Sequence, residues 1–359
     1  MILILSDRRD DAVELVLPKL ERRGARVTWW DPGDFPARGR LTAAFAGGGH
    51  RIVLDTGAER LDLSEVRAVW RRRPNAPAPG ESVTEPSHRR HAIWQAEFLL
   101  DGVWELAPAR WLPSRRDVER RAHNKIIHMA QAAALGFRVP ETVYTNDPAE
   151  LVPAYERAGG DLIAKQINSD EFTVDGADHR AYTTVLNRRH LTSRHRLQHE
   201  PVILQPYVPK AVELRVIVVG ERVFAAEIDA RASRTARDDW RHYDDDRVRY
   251  AAHRLPDALE RACVELTASL GLTYGAIDLI LTPDGEYTFL EINPNGAWGF
   301  VEQRAGLPVS EAIADWLVAA DRAVDRAADN AVDRTAGDAL DRTADHAAGD
   351  LADEKDGRS

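Results

Sequence analysis

The stretch GAIDLILTPDGEYTFLEINPN, residues 275–295, contains two apolar runs that are separated by a Pro-Asp-Gly turn sequence. This arrangement predicts a β-hairpin, because proline, aspartate and glycine favour a tight turn between two strands. Asp278 lies in the first run, and Glu291 and Asn293 lie at alternate positions of the second run. Side chains alternate between the two faces of a strand, so Glu291 and Asn293 are expected on the same face.

Two carboxylates and an amide oxygen that converge in this way are hard ligands of the kind that Mg²⁺ takes. A solvated hairpin with scattered polar residues is the alternative. Asp278 disfavours it, because this residue lies inside the apolar run AIDLIL, where a buried carboxylate is costly unless it is paired or bound to a metal. Leu290 and Ile292 are expected on the opposite, apolar face. The sequence therefore predicts a metal site formed by Asp278, Glu291 and Asn293.

The composition indicates a globular protein without a general affinity for polyanions. The 359 residues carry a net charge of −10, and residues 323–359 hold half of this excess, with ten acids against five bases. The nearly balanced remainder argues against nucleic-acid binding by bulk charge. The apolar fraction of 44% is ample for a core, in which the single cysteine, Cys263, is expected. Without a run of 18 apolar residues or a recognisable signal peptide, a cytoplasmic protein with no membrane contact is expected.

Helical and extended patterns alternate along the chain and predict an α/β architecture. MILILS and ARVTWWD are typical of strands, and they flank a helix that ends at Gly24, so residues 1–112 are expected to form one small domain. Further along, a helix that ends at Gly136 precedes several strands joined by tight turns. From residue 321 to residue 359, an eight-residue repeat with few large apolar side chains predicts a disordered acidic tail.

Lysine is rare in this chain, and two lysines occupy unusual positions. Only five of the 48 basic residues are lysines. Lys165 lies in the apolar strand pattern LIAKQI, where an ordinary surface lysine is not expected. Lys125 is the first residue of a predicted helix. A compact ammonium in either position is a good partner for a phosphate oxygen. Each lysine taken alone also fits an ordinary structural role.

Taken in order, Lys125, Lys165, LQPYV, ELR, Asp278 and EINPN resemble the motif set of the ATP-grasp superfamily, over about residues 115–318. The resemblance implies an ATP-grasp fold of the α/β class, with residues 1–112 as an N-terminal pre-grasp domain. Residues 113–320 would then be the grasp domain, divided into a central lobe at 113–205 and a C-terminal lobe at 206–320. ATP and Mg²⁺ are the implied cofactors.

The same resemblance implies a role for individual residues of this chain. The phosphates of ATP would contact Lys125 and Lys165. The hinge strand that offers its backbone to adenine would be Gln205, Pro206, Tyr207 and Val208. Glu213 would hold the ribose, and Mg²⁺ would be bound by Asp278, Glu291 and Asn293. Arg215 would be the catalytic residue, facing the phosphoryl group during its transfer.

A narrower resemblance links VWRRRP, VPETVYTNDPAE, ARDDWRHYD and EINPNGAWGFVE to the ATP-grasp maturases of ribosomal peptides, the microviridin or graspetide ligases, and especially to their actinobacterial branch. The implied partner is a precursor peptide with a leader and an acidic, threonine-containing core, and a homodimer is compatible with this reading. The residues assigned to the peptide are Arg71, Arg72, Arg73, Arg237, Trp240, Arg241 and Asn295. For the arginines, a solvated basic surface is an equally good explanation. One departure is QINSDEFTVDGADHRAY, after Lys165, which is not the expected glycine-rich phosphate cover.

These resemblances imply a ligase that activates side-chain carboxylates of the precursor as acyl phosphates and passes them to Ser or Thr hydroxyls or to Lys amines. Two alternatives stay open. One is an ATP-grasp ligase that acts on amino acids or on a protein terminus, as glutamate-adding ligases do. The other is a regulatory protein that binds ATP without turnover, which the complete set of Arg215, Asp278, Glu291 and Asn293 disfavours.

Overall fold

The computed structural model describes residues 1–168, 172–174, 177–179, 183–232 and 247–323, with the backbone alone for the two three-residue segments. Its helices are α1 (Asp11–Arg22), α2 (Pro86–Leu106), α3 (Arg116–Ala122), α4 (Lys125–Ala134), α5 (Leu151–Arg157), α6 (Arg188–Thr192), α7 (Asp257–Ser269), α8 (Gly299–Ala305) and α9 (309–323).

The strands are β1 (Ile2–Leu5), β2 (Val27–Trp30), β3 (Arg40–Ala46), β4 (Gly49–Asp55), β5 (Arg60–Asp62), β6 (Ala68–Arg71), β7 (Arg110–Leu112), β8 (Val143–Thr145), β9 (Leu162–Gln166), β10 (Phe172–Val174), β11 (Ala177–His179), β12 (Thr184–Val185), β13 (Val202–Pro206), β14 (Val212–Val219), β15 (Arg222–Asp229), β16 (Arg249–His253), β17 (Tyr274–Leu281) and β18 (Tyr287–Asn293). The predicted α/β class is confirmed by this mixture.

The N-terminal part is built on a parallel sheet of order β2-β1-β6-β7. Its central strand β1 is buried along its whole length, as the apolar run MILIL predicts. Asp10 caps α1 by accepting a hydrogen bond from the backbone N–H of Ala12 at 3.0 Å, and Gly24 follows the helix with φ +70°. A small antiparallel sheet, β3-β4-β5, covers one side, and α2 packs with it around Trp30 and Leu54.

The middle part is an antiparallel sheet of order β12-β9-β13-β8. One of its faces carries Leu162, Ala164 and Leu204, which pack with α5 in a small core. Lys165 of β9 is the register partner of Ile203 in β13, which in turn pairs with Tyr144 of β8. Because side chains alternate along a strand, these register partners lie on the opposite face of the sheet.

The C-terminal part is an antiparallel sheet of order β16-β15-β14-β17-β18. One face packs on α7 through Val216, Val218 and Ile277, in the same core as Cys263. The other face changes character along its length. Near one end Ile217 and Ala276 are packed in a core, whereas Arg215 and Asp278, one pleat further along β14 and β17, are polar.

The core around Ile217 and Ala276 is shared with the N-terminal sheet. It also contains Ile2 and Ile4 of β1, and the apolar side of α9 completes it with residues that include Ile313 and Leu317. The N-terminal amine of Met1 pairs with the carboxylate of Asp321 in α9. The first and the last described elements of the chain are therefore packed together.

The structure contains the helices and strands that the sequence patterns predicted, together with further elements. The strands, the α1 and α4 helices and the Pro-Asp-Gly hairpin are found as predicted, whereas the sequence patterns did not single out α2, the longest of the helices named above. The domain limits stay a prediction. Of the predicted disordered tail, residues 321–359, the first three residues belong to α9, and residues 324–359 lie outside the described part of the chain. Among the described residues, no helix combines the length and the apolar character required to cross a membrane.

Candidate functional site

A row of charged side chains crosses three neighbouring strands of the C-terminal sheet. Arg215 of β14 is the register partner of Asp278 in β17, which is the register partner of Glu291 in β18. The guanidinium Nη1 of Arg215 lies 2.7 Å from Oδ1 of Asp278, and Nζ of Lys125 lies 3.0 Å from Oε2 of Glu291. Two carboxylates directly opposite each other repel, and the flanking cations offset this electrostatic repulsion. The predicted convergence of Asp278 and Glu291 is therefore present.

The strand β18 contains a bulge that the sequence pattern did not predict. The pairing shifts after Asp278, because Leu279 is opposite Phe289, which leaves Leu290 as an extra residue. Phe289 and Ile292 both pack in the α7 core, whereas Leu290 is half-buried and is not part of that core. The expectation that Leu290 and Ile292 share an apolar face was therefore wrong. The bulge keeps Glu291 on the same face as Asp278.

Asn293, the third of the predicted oxygen ligands, lies on this face. It is the register partner of Ala276, two residues before Asp278, and its Oδ1 accepts a hydrogen bond from the backbone N–H of Asn295 at 2.9 Å. No group of three or more His, Cys, Asp or Glu side chains able to hold a metal occurs in the described ranges. Two carboxylates and one amide oxygen nevertheless fit Mg²⁺, which keeps several positions for waters or phosphate oxygens.

Lys125 reaches this row from the start of α4. Asn124 caps the helix by accepting a hydrogen bond from the N–H of Ile126 at 3.0 Å, so Lys125 is the first helical residue. The face of the middle sheet that carries Lys165 is turned toward the same row. Burial and the negative charge of Glu291 raise the pKa of Tyr144, on that face, to about 12. Lys125 therefore contacts the row from α4, and Lys165 lies on the same sheet face as Tyr144.

The predicted hinge consists of the end of β13, in the middle sheet, and the two residues that follow this strand. Gln205 is buried and donates a hydrogen bond from Nε2 to Oγ1 of Thr142 at 2.8 Å, and the N–H of Tyr207 donates to the carbonyl of Asp161 at 2.7 Å. Pro206 ends β13, and Val208 follows in the loop that leads to β14.

Glu213 lies near the beginning of β14, two residues before Arg215 and on the same face. Nζ of Lys210 lies 2.8 Å from its Oε1, and both side chains are largely buried. Tyr207, Lys210 and Glu213 line a cavity of about 120 Å³ together with Ile228 of β15. One hinge residue, Tyr207, and the predicted ribose ligand Glu213 therefore line the same cavity.

The segment after β18 folds back over the sheet and presents three consecutive carbonyl groups to buried donors. The carbonyl of Asn295 accepts from Nη1 of Arg72 at 2.6 Å, that of Gly296 from the hydroxyl of Tyr274 at 2.7 Å, and that of Ala297 from Nε of Arg215 at 3.3 Å. Burial raises the pKa of Tyr274 to about 12, which keeps its hydroxyl protonated as a donor. This loop therefore fixes the orientation of Arg215.

The three consecutive arginines at the end of β6 have different surroundings. Arg71 forms an ion pair with the buried Glu119 of α3. Arg72 is only 4% exposed, and burial lowers the pKa of its guanidinium, an effect that the charge of Arg73 reinforces. Arg73 is exposed, and its backbone N–H donates to Oγ of Ser6. Only Arg73 is thus fully available on the surface, although all three line the same cleft.

That cleft has a volume of about 740 Å³ and lies between the N-terminal sheet and the loop after β18. Its walls include Asp7, Arg9 and Arg73 on one side and Asn295 and Phe300 on the other. Arg237, Trp240 and Arg241, the other residues assigned to a peptide, lie outside the described part of the chain. The same holds for residues 169–171, 175–176 and 180–182 of the segment QINSDEFTVDGADHRAY.

Glu119 was missed by the sequence reasoning. It lies in the arginine-rich run SRRDVERRAH, where its carboxylate looks like one member of an exposed ion-pair helix. In the structure it is 5% exposed and contacts both Arg71 and the side-chain amide of Asn295. The helical spacing of Val118 and Ala122 is the only local sign that one side of α3 is buried.

Comparisons with known proteins agree with this fold. Residues 1–119 match the family described as the MvdD pre-ATP grasp domain. A RiPP-associated ATP-grasp ligase of Chryseobacterium gregarium, solved with ADP and with a leader and core peptide, is 28% identical with a TM-score of 0.82, over 88% of this chain and 96% of that one. The macrocyclase MdnC of Microcystis aeruginosa, solved with the precursor peptide MdnA, is 27% identical with a TM-score of 0.78, over 88% and 99% of the two chains.

Two further relatives are similar to this chain. A probable alpha-L-glutamate ligase of Mannheimia succiniciproducens is 26% identical over 207 residues, which span 55% of this chain and 63% of that protein. The macrocyclase MdnB of Microcystis aeruginosa is 30% identical with a TM-score of 0.73, over 88% of this chain and 98% of that one. The fold is therefore that of ATP-grasp enzymes, and the chain belongs to the family of microviridin-type ATP-grasp ligases that includes MdnB and MdnC.

Proposed function

We propose that this protein is an ATP-dependent carboxylate ligase that closes rings in a ribosomally made precursor peptide. It joins side-chain carboxylates of the peptide to Ser or Thr hydroxyls as esters, or to Lys amines as amides. The observation that carries the proposal is the row Arg215, Asp278 and Glu291, flanked by Lys125. Two relatives that match this chain over nearly their whole length were solved with leader, core or precursor peptides. They support the choice of substrate.

In the proposed reaction, an oxygen of the peptide carboxylate attacks the γ-phosphorus of ATP, and the bond from this phosphorus to the oxygen that bridges to the β-phosphate breaks. ADP leaves, and an acyl phosphate is formed. The hydroxyl or amine of a second side chain then attacks the acyl carbon, phosphate leaves with the bond electrons, and the proton of the attacking group is lost to the medium. No nucleophile of the protein takes part, in accordance with the absence of a Ser-His-Asp or Cys-His arrangement in the sequence motifs.

Each residue of the site has a role in this scheme. Lys125 and Lys165 bind phosphate oxygens, and Arg215 stabilises the negative charge of the phosphoryl group during transfer. The backbone of Gln205, Pro206, Tyr207 and Val208 contacts adenine, and Glu213 holds the ribose. Asp278, Glu291 and Asn293 hold Mg²⁺, which neutralises phosphate charge when it is bound.

The ion pairs of the site suit this function. Lys125 and Arg215 balance the charges of Glu291 and Asp278, so the carboxylates keep their positions without a metal. A bound nucleotide offers phosphate oxygens as alternative partners for Lys125 and Arg215. Asp278 and Glu291 would then be available to hold a metal ion.

We propose that the peptide occupies the cleft of about 740 Å³ beside this row. The exposed guanidinium of Arg73 suits acidic side chains of a core peptide, whereas Arg9 is already paired with Asp7, and Asn295 connects the cleft to the row. Arg71 and Arg72 form the wall rather than free contacts, because they are held by Glu119 and by the carbonyl of Asn295. Arg237, Trp240 and Arg241 stay predicted peptide contacts, and homodimer formation and membership of the actinobacterial branch also stay predictions.

A second candidate is a ligase that adds amino acids. The similarity to a probable alpha-L-glutamate ligase supports this candidate. Mass spectrometry separates the two. The protein is incubated with MgATP and either a candidate precursor peptide, rich in Thr and acidic residues, or free glutamate with an acceptor peptide. Ring closure is expected to lower the mass of the precursor by about 18 Da per ring, because each condensation removes one water. A gain of glutamate mass on the acceptor, without loss of water from the precursor, would favour the second candidate.

A further inference from the structure

Glu119 of α3 is an almost completely buried carboxylate with two partners from different parts of the chain. One of its oxygens is paired with Nη1 of Arg71 in β6, and the other accepts a hydrogen bond from Nδ2 of Asn295, in the loop after β18. A buried carboxylate is tolerated only when its oxygens are paired in this way. Glu119 therefore connects the N-terminal sheet to the loop that borders the candidate metal site.

A second connection to the same loop is formed by Arg72. Its Nη1 donates to the carbonyl of Asn295 at 2.6 Å, and its Nε lies 3.7 Å from Oδ2 of Asp10. Asp10 is itself fixed, because it caps α1 and accepts a hydrogen bond from Oγ of Ser6 at 2.8 Å. Asn295 is thus held at its side chain by Glu119 and at its carbonyl by Arg72.

The loop transmits this restraint to the ligands. The backbone N–H of Asn295 donates to Oδ1 of Asn293 at 2.9 Å, which occupies one lone pair of the oxygen assigned to the metal and fixes the rotamer of the amide. Two residues later, the carbonyl of Ala297 holds Nε of Arg215. One loop therefore orients both a metal ligand and the catalytic arginine.

We infer that Glu119 is a positioning residue, which acts through Asn295 to hold Asn293 and Arg215 in the geometry that binds a metal–nucleotide complex. The N-terminal sheet is then part of the catalytic apparatus and not only a covering domain. The inference rests on the proposed function, since it concerns the metal site of that function. Partners behind the ligands of a metal commonly contribute about 10- to 100-fold to metal affinity or activity.

The test is calorimetric binding of ADP, without peptide, in excess MgCl₂ and in excess EDTA. The variants are Glu119→Ala, Asn295→Ala and the double variant. The control is Asp101→Ala. It removes the exposed ion pair between Asp101 of α2 and Arg116 of α3, the helix that also carries Glu119, and it does not touch the loop. Each single variant is expected to weaken ADP binding about tenfold or more with Mg²⁺ and less than about twofold with EDTA. The control is expected to match the wild type in both conditions.

The double variant distinguishes a relay from two separate effects. If Glu119 acts through Asn295, the double variant is expected to bind no more than about twofold weaker than the weaker single variant. Equal weakening with Mg²⁺ and with EDTA, no weakening, or multiplied effects in the double variant would each overturn the inference. Thermal melts report whether Glu119→Ala folds; if it does not, Asn295→Ala alone decides by its Mg²⁺ dependence. Wild-type binding of ADP that does not respond to Mg²⁺ would instead refute the metal site of the proposed function.

Discussion

At the scale of single residues, Glu291 has the most exacting role, because it is opposite Asp278 in the register and pairs with Lys125. Replacing Glu291 with Gln keeps its size but removes the charge that a metal would use. Asn293→Ala removes an oxygen ligand without changing the strand. Both variants are expected to lose at least about 100-fold in turnover, since even indirect metal partners contribute about 10- to 100-fold. Their melting temperatures are expected to stay close to that of the wild type.

Turnover of the precursor peptide, followed by mass spectrometry at saturating MgCl₂, measures this effect. Ser64→Ala, on an exposed turn of the N-terminal domain, serves as a surface control. Turnover within about threefold of the wild type in either Glu291→Gln or Asn293→Ala would show that these residues do not bind the metal.

Lys165 belongs to the same scale. If its ammonium contacts a phosphate, Lys165→Ala is expected to weaken ATP binding about 10- to 100-fold, because hydrogen bonds to charged groups contribute about 1.5–3 kcal/mol. Lys19 is a poor control for charge removal, since its side chain is largely buried, donates to the carbonyl of Leu15 at 2.9 Å and approaches Glu302. Arg254, whose side chain is 91% exposed, is better. Calorimetric titration with ATP that gives equal affinities for Lys165→Ala and Arg254→Ala would reject the phosphate role.

At the scale of elements, the loop after β18 can only lie where it does because residue 296 has no side chain. A Cβ added to Gly296 would lie 2.4 Å from Cβ of Ala276 and 3.2 Å from Nη2 of Arg215. We expect Gly296→Ala to lower the free energy of unfolding by about 1–3 kcal/mol through overpacking. Because the displaced loop also holds Arg215, turnover is expected to fall by more than the loss of folded protein explains.

Gly102→Ala is a matched control for this substitution. Gly102 lies in α2, and a Cβ at this position meets no atom within 4 Å. It is expected to raise stability by up to about 1 kcal/mol, because alanine is the better helix former, and to leave turnover unchanged. Urea unfolding and turnover are measured for both variants. Wild-type stability and turnover in Gly296→Ala would show that the loop has room to move without consequence.

At the scale of the whole molecule, α9 joins the N-terminal sheet to the C-terminal sheet in one core, and Asp321 pairs with the N-terminal amine. The repeat beyond residue 323 has few large apolar residues that would contribute to this core. Deletion of residues 324–359 is therefore expected to leave catalysis on a separate peptide, and the melting temperature, unchanged. A deletion that also removes α9 is expected to prevent folding, because it exposes the shared core.

The repeat contains Thr335 and Thr343 among many aspartates, which superficially resembles a substrate core. Aspartate occurs almost everywhere in it, without the defined order of hydroxyl and carboxyl partners that specific rings require. The intact protein is expected to keep its mass after incubation with MgATP. A loss of about 18 Da that proteolysis maps to Thr335 or Thr343 would mean that the chain modifies itself.

The sequence by itself determined the hairpin of β17 and β18, because apolar runs and a Pro-Asp-Gly turn are local signals, and it determined that Glu291 and Asn293 share a face, because strand alternation is local too. The assignment of Lys125 rested on the order of motifs, and the structure places it against Glu291. Tertiary structure alone decided the bulge at Leu290, the burial of Arg72 and the position of Glu119 next to Asn295. These features depend on partners more than 170 residues apart in the chain or in neighbouring strands, and no local pattern encodes which distant group a buried charge will meet.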